Sequence, residues 1–177
     1  MDLTERDLSP LEFDLYTIRQ KALSEINADT LIETYKNTNL NLIPLISGGQ
    51  SKVYILTGPQ VNGVVVFGND YLISFDKDKN IVSKKALHRN IIPIQYDGKE
   101  NVESSMHSHL AETGEFITAT DICTLMLYGK FTKWKTHNVV SQKYLNIWDC
   151  KKNDLVVITM EAVEKIRKDQ EQRRKNQ

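Results

Sequence analysis

Two imidazoles two residues apart, His107 and His109 in Ser105-Met106-His107-Ser108-His109, are the side chains here best suited to chemistry. On a strand, residues i and i+2 share a face, so this pair can grip a single metal ion. Downstream, Thr118-Ala119-Thr120-Asp121 leads into an apolar run with Ile122, Leu125, Met126 and Tyr128. That run reads as a buried helix starting between Thr118 and Asp121, which puts Asp121 in its first turn. Folding can bring the carboxylate back towards the two histidines, and two His, one Asp and a water complete a tetrahedral zinc site. The Thr118-x-x-Asp121 spacing is also that of a capping box, in which hydroxyl and carboxylate satisfy the orphan amides of a helix start without any metal. His88 and His137 each read either as further ligands or as core hydrogen-bonders.

The elements that must position these residues follow from periodicity. From Pro10 to about Tyr35 the pattern is helical, with Leu11, Leu15, Ile18, Ala22 and Ile26 as the apolar stripe and Ser9-Pro10 as its start. Thr30-x-x-Glu33 would restart a short second helix, and residues 37–41 read as a polar loop. Pro44 keeps Leu42-Ile43-Pro44-Leu45-Ile46 out of a central strand, and Gly48-Gly49 is a turn without phosphate-cradle spacing. Strands are expected over 52–57, 61–67, 71–75, 81–87 and 90–96, with residues 76–80 as a solvated turn that lacks the glycine and distal Glu of a calcium loop. A polar loop from Asp97 to Glu103 precedes the strand 102–109 that carries the histidines. After the central helix come a basic, aromatic connection (Gly129 to Lys135), strands over 137–141, 144–148 and 154–158, and a closing helix from Met160 with Ala162, Val163 and Ile166 inward. The order predicts an α+β or α/β protein built on one central mixed sheet flanked by helices. It divides into a helical segment (1–41), an α/β domain (42–160) and a charged helix or tail (161–177).

Composition limits the partners. Lys+Arg and Asp+Glu both number 23, so the net charge is zero and a general polyanion binder is not indicated. Lys130, Lys133, Trp134 and Lys135 form a small basic, aromatic group that is read as a solvated loop rather than a nucleic-acid surface. No apolar run reaches transmembrane length, and the N-terminus lacks a signal-peptide pattern. With only Cys123 and Cys150 and no Cys-x-x-Cys, a disulfide framework is not expected and a cytoplasmic location is the default.

His107-Ser108-His109 followed by Thr118-Ala119-Thr120-Asp121 resembles the metal motif of the JAMM (MPN/JAB) metalloproteases, His-x-His, a spacer, then Ser-x-x-Asp. The resemblance spans roughly residues 50–150 and implies a deaminase-like layered α/β fold. It further implies zinc bound by His107, His109 and Asp121, Thr118 on the oxyanion side, and hydrolysis of a peptide or isopeptide bond in a protein or peptide substrate. Thr stands for Ser, Leu110 stands where the family usually has Pro, and the spacer of eight residues is one longer than is common. The family's general-base Glu falls on Gln60-Val61-Asn62-Gly63, which holds no carboxylate, and an amide cannot take a proton from water near neutral pH. Glu112 and Glu115 in the spacer, or Asp70, are the candidate substitutes. Glu103 would lie about 13 Å along the strand from His107, too far for the same water. The alternative implied is a catalytically degenerate member that acts as a protein-interaction module.

Overall fold

The structure, a computed structural model, describes residues 6–96 and 102–176. Residues 97–101 of the expected polar loop lie outside the described residues. In chain order the elements begin α1 (Pro10–Ala28), β1 (Thr38–Ser47), β2 (Gln50–Pro59), β3 (Val64–Gly68), β4 (Tyr71–Phe75), β5 (Ile81–Ala86) and β6 (Ile91–Gln95). They continue β7 (Ser104–Ser108), α2 (Ala119–Tyr128), a 3-10 turn (Gly129–Phe131), β8 (Thr136–Val140), β9 (Tyr144–Asp149), β10 (Asp154–Thr159) and α3 (Met160–Lys175). The class is α+β, as expected, but the strands form three sheets rather than one central sheet. The chain divides into two compact units, Met1–Val61 with Gly68–Ile91, and Asn62–Phe67 with Ile92–Gln177.

The first unit sets α1 on an antiparallel sheet of order β1-β2-β4-β5. The start of α1 is fixed chemically: Glu12 N–H donates to Ser9 Oγ (3.4 Å), Ser9 N–H donates to Glu12 Oε2 (2.8 Å), and Arg6 holds the same carboxylate at 2.6 Å. Ile18 and Ala22 are fully buried with Val53, Ile55 and Ile73. Leu11, counted in the same stripe, is 56% exposed. No second helix follows. Asp29 Oδ1 accepts from Leu31 N–H at 2.9 Å, and this local bond turns the chain where the Thr30 capping box was expected. The expected loop over 37–41 is largely strand, since 38–41 pair with 56–59, and Pro44 sits on the edge strand where its missing donor costs nothing. Gly48 and Gly49 close this hairpin with φ of +57° and +73°.

Between β3 and β4 the backbone turns on two residues. A Cβ at Gly68 would lie 2.0 Å from the Asn90 carbonyl oxygen, so only glycine fits. Asn69, at φ +53° and fully buried, donates from Nδ2 to the Glu33 carbonyl and to Thr57 Oγ1 (both 3.0 Å) and accepts from the Tyr71 hydroxyl at 2.5 Å.

In the second unit the sheet order is β10-β9-β8-β7, with β7 parallel to β8 and the other pairs antiparallel. A parallel pair cannot be closed by a hairpin, so the chain must cross over, and α2 lies within that crossover. β3 and β6 pair separately. Strand alternation buries Ser105 and His107 of β7, His137 and Val139 of β8, and Asn146 and Trp148 of β9. The register brings Ser105 beside His137 and His137 beside Trp148. Phe67, Ile117, Leu125, Trp134, Val139 and Trp148 form this unit's apolar core. No residue of α3 is buried, and Ile166, expected inward, is 51% exposed. Among the described residues no helix is long and apolar enough to cross a membrane.

Candidate metal centre

His107 lies inside β7 on its buried side. His109 follows just past the strand's end, where its amide still donates to the Val140 carbonyl at 2.8 Å and so keeps the strand alternation going. The segment from Leu110 to Thr118 is tied down on its way to α2. Asn146 Nδ2 donates to the Glu115 carbonyl (3.1 Å) and to that of Val139 (3.2 Å), and Lys143 N–H donates to the Glu115 carboxylate (3.1 Å). Thr118 then caps α2 with Asp121 as its capping-box partner.

The cap and the cluster use the same carboxylate. Asp121 Oδ2 accepts from Thr118 N–H at 2.9 Å and from the Thr118 hydroxyl at 2.7 Å, and it also lies 3.2 Å from His109 Nε2. Oδ1, which the cap does not use, faces His107 Nε2 at 3.6 Å. The two Nε2 atoms are 3.1 Å apart. His107, His109 and Asp121 are all buried.

These separations can be compared with a coordination polyhedron. Tetrahedral zinc with bonds of about 2.0–2.1 Å sets its donors roughly 3.3 Å apart. The two Nε2 atoms, 3.1 Å apart, lie near that edge, and the carboxylate offers Oδ2 to His109 at 3.2 Å and Oδ1 to His107 at 3.6 Å. Two imidazoles and a carboxylate so arranged are a donor set that can hold a metal ion.

Beside the cluster stands a third imidazole. His137 Nε2 is 2.9 Å from His107 Nδ1, and His137 Nδ1 is 2.7 Å from Ser105 Oγ. Phe67 stacks on His137 at 4.6 Å between centroids and tilts against His107 at 5.0 Å. Burial, reinforced by His107, pushes the His137 imidazole down to about 3, so this ring is neutral near pH 7.

Glu115 is bound to the Lys143 amide, Glu112 is exposed, and Glu103 pairs with Lys135 at 2.6 Å. Gln60, in the first unit, is exposed and donates to Asn39 Oδ1 at 2.5 Å, while Asn62 is exposed. Asp70 and His88 are buried partners in the first unit, with Oδ2 and Nδ1 3.3 Å apart, and Asp70 Oδ1 accepts from Thr57 N–H at 3.3 Å. In the basic connection Trp134 is a core residue, 3% exposed, and presents no stacking face to solvent. Lys130 lies over the Phe131 ring, and Lys135 is the partner of Glu103.

Ser105 carried no functional reading in the sequence. The signal was available: Ser105, His107 and His109 alternate on one strand and His137 and Val139 on another, but pairing those strands in parallel and in that register is a tertiary fact. Comparison with known proteins finds no match to the chain among protein-family models, curated proteins or solved structures.

Proposed function

We propose that the second unit is a zinc-binding domain resembling the JAMM metalloproteases, and that its site acts on a peptide or isopeptide bond. The observation that carries this reading is the convergence of His107 Nε2, His109 Nε2 and the Asp121 carboxylate at zinc-like separations. Zinc at such a site polarises a carbonyl and draws the pKa of a bound water towards neutrality. The chain's own residues supply the rest. β7, continued past its end by the His109 amide's bond to the Val140 carbonyl, fixes the spacing of the two imidazoles, and the Thr118 amide and hydroxyl hold Asp121 through Oδ2 so that Oδ1 faces His107. Thr118 gives its hydroxyl proton to Asp121, so it acts here by orienting the carboxylate.

Metal content of the untagged protein by mass spectrometry, beside His107→Ala/His109→Ala, tests the binding. Near-stoichiometric zinc, lost in the double variant, is expected. Protein that takes up no zinc on incubation sinks the reading. Hydrolysis is tested on fluorogenic peptide and isopeptide substrates with zinc, manganese or cobalt present.

A second reading, a metal-binding but non-catalytic module that recognises a protein, is favoured by one observation. The segment on which the resemblance places the general base, Gln60-Val61-Asn62-Gly63, holds no carboxylate, while Glu103 pairs with Lys135 and the Glu115 carboxylate accepts from the Lys143 amide. It expects bound zinc, no turnover with any of the three metals, and a recoverable partner in a pull-down.

A further inference from the structure

A histidine binds a metal only through a bare nitrogen, and which nitrogen is bare is set by the hydrogen bond that the other one makes. At His107 the two nitrogens have different neighbours: Nε2 faces His109 and Asp121, and Nδ1 faces His137 Nε2 at 2.9 Å. Two arrangements satisfy the chain Ser105–His137–His107, with one ring proton per histidine in each. In one, Ser105 Oγ–H donates to His137 Nδ1, His137 Nε2–H donates to His107 Nδ1, and His107 Nε2 carries a proton. In the other, His107 Nδ1–H donates to His137 Nε2, His137 Nδ1–H donates to Ser105 Oγ, and His107 Nε2 is bare. Both conserve protons, since each ring moves its single N–H from one nitrogen to the other and the hydroxyl rotates. Only the second leaves a lone pair directed at the cluster.

We propose that His137, backed by Ser105, is the positioning residue of this site, accepting the His107 Nδ1 proton and so presenting His107 Nε2 bare to the metal. This rests on the zinc-binding reading above. The surroundings hold the acceptor in place. His137 is fully buried between Phe67, stacked at 4.6 Å, and Trp134, at 5.9 Å, and its strand register sets it directly beside Ser105. A ring so enclosed cannot swing away to water. The arrangement matches the outer-shell partner that metal-bound imidazoles generally need, here an uncharged one in place of the commoner carboxylate or carbonyl.

The test uses the full chain and zinc itself. Zinc affinity is measured by competition with a chromophoric chelator for wild type, His137→Leu, His137→Gln and Ser105→Ala. Leucine removes the acceptor and keeps apolar bulk, whereas the glutamine amide oxygen reaches the position of Nε2 and can accept the same proton. The expected result is affinity weakened roughly 10–100-fold in His137→Leu, largely recovered in His137→Gln, and lowered less in Ser105→Ala. Two-bond ¹H–¹⁵N spectra of the zinc-loaded wild type should show His107 and His137 both protonated at Nδ1. Equal losses in the leucine and glutamine variants, unchanged affinity in His137→Leu, or a proton on His137 Nε2 in the zinc-loaded wild type would each overturn the assignment while leaving the zinc site standing. Failure of wild type itself to bind zinc would be a failure of the underlying reading, and this assignment would fall with it.

Discussion

Asp121→Asn separates the two jobs that one carboxylate performs. The amide oxygen can still accept from Thr118 N–H, now at 2.9 Å from Oδ2, so the cap keeps its geometry while the charge is lost. Losing a charge at a helix N-terminus costs about 0.3–1 kcal/mol, and removing a carboxylate that is 1% exposed relieves desolvation that offsets part of it. Metal-free Asp121→Asn should therefore unfold within about 1 kcal/mol of wild type. Zinc should then divide the two proteins. Ligand at a thousand times its dissociation constant stabilises by about 4 kcal/mol, and a site weakened a hundredfold at the same free zinc keeps only about 1.4 kcal/mol. Urea unfolding with chelator and with buffered zinc measures both quantities, and the buried Trp134 and Trp148, both in the second unit, supply the fluorescence signal. Equal zinc stabilisation of variant and wild type would refute Asp121 as a ligand. A loss of several kcal/mol already in the chelator-treated variant would mean that the carboxylate's structural work had been undervalued.

Phe67→Ala removes a ring that is 1% exposed and stacked on His137, so it should cost about 3–5 kcal/mol in urea unfolding and also weaken zinc binding; a variant that binds zinc as wild type does would separate the ring from the site. Asn69→Ala deletes three side-chain hydrogen bonds at a positive φ, and about 3 kcal/mol or more of destabilisation is expected in the first unit, with a loss under about 1 kcal/mol counting against the network. Glu12 is held well below the usual carboxylate range by Arg6 first and the Ser9 amide second, so its contribution is complete above the unfolded pKa, declines below it and is lost as pH falls through the lower folded-state value. Glu12→Gln should accordingly be less stable than wild type at pH 7, with the gap closing below about pH 4; a gap that widens on acidification contradicts the linkage.

Much of the architecture could be read along the chain because it depends on neighbours in sequence. Ser9-Pro10 opens α1 and Thr118 with Asp121 caps α2, each where a helix start was expected, and alternation on β7 buries Ser105 and His107 together. The failures share a cause. Thr30 and Glu33 have capping-box spacing, yet Asp29 takes the Leu31 amide first, and residues 38–41 look polar and loop-like but have β2 as a pairing partner. One central sheet was expected because strand patterns specify faces and not partners, and the chain distributes its strands over three sheets.

The candidate site divides along the same line. The types and spacings of His107, His109, Thr118 and Asp121 are sequence facts, and helix and strand periodicity alone bring the two imidazoles to one side and the carboxylate to a helix start. The closing distances belong to the tertiary structure. The parallel pairing of β7 with β8, with α2 in the crossover between them, is what carries Asp121 to within 3.2 Å of His109 and sets His137 behind His107 at 2.9 Å. Residues some thirty positions apart meet only after the loop-closure entropy between them has been overcome by burial of the core around Phe67, Val139 and Trp148, and no local pattern encodes that meeting.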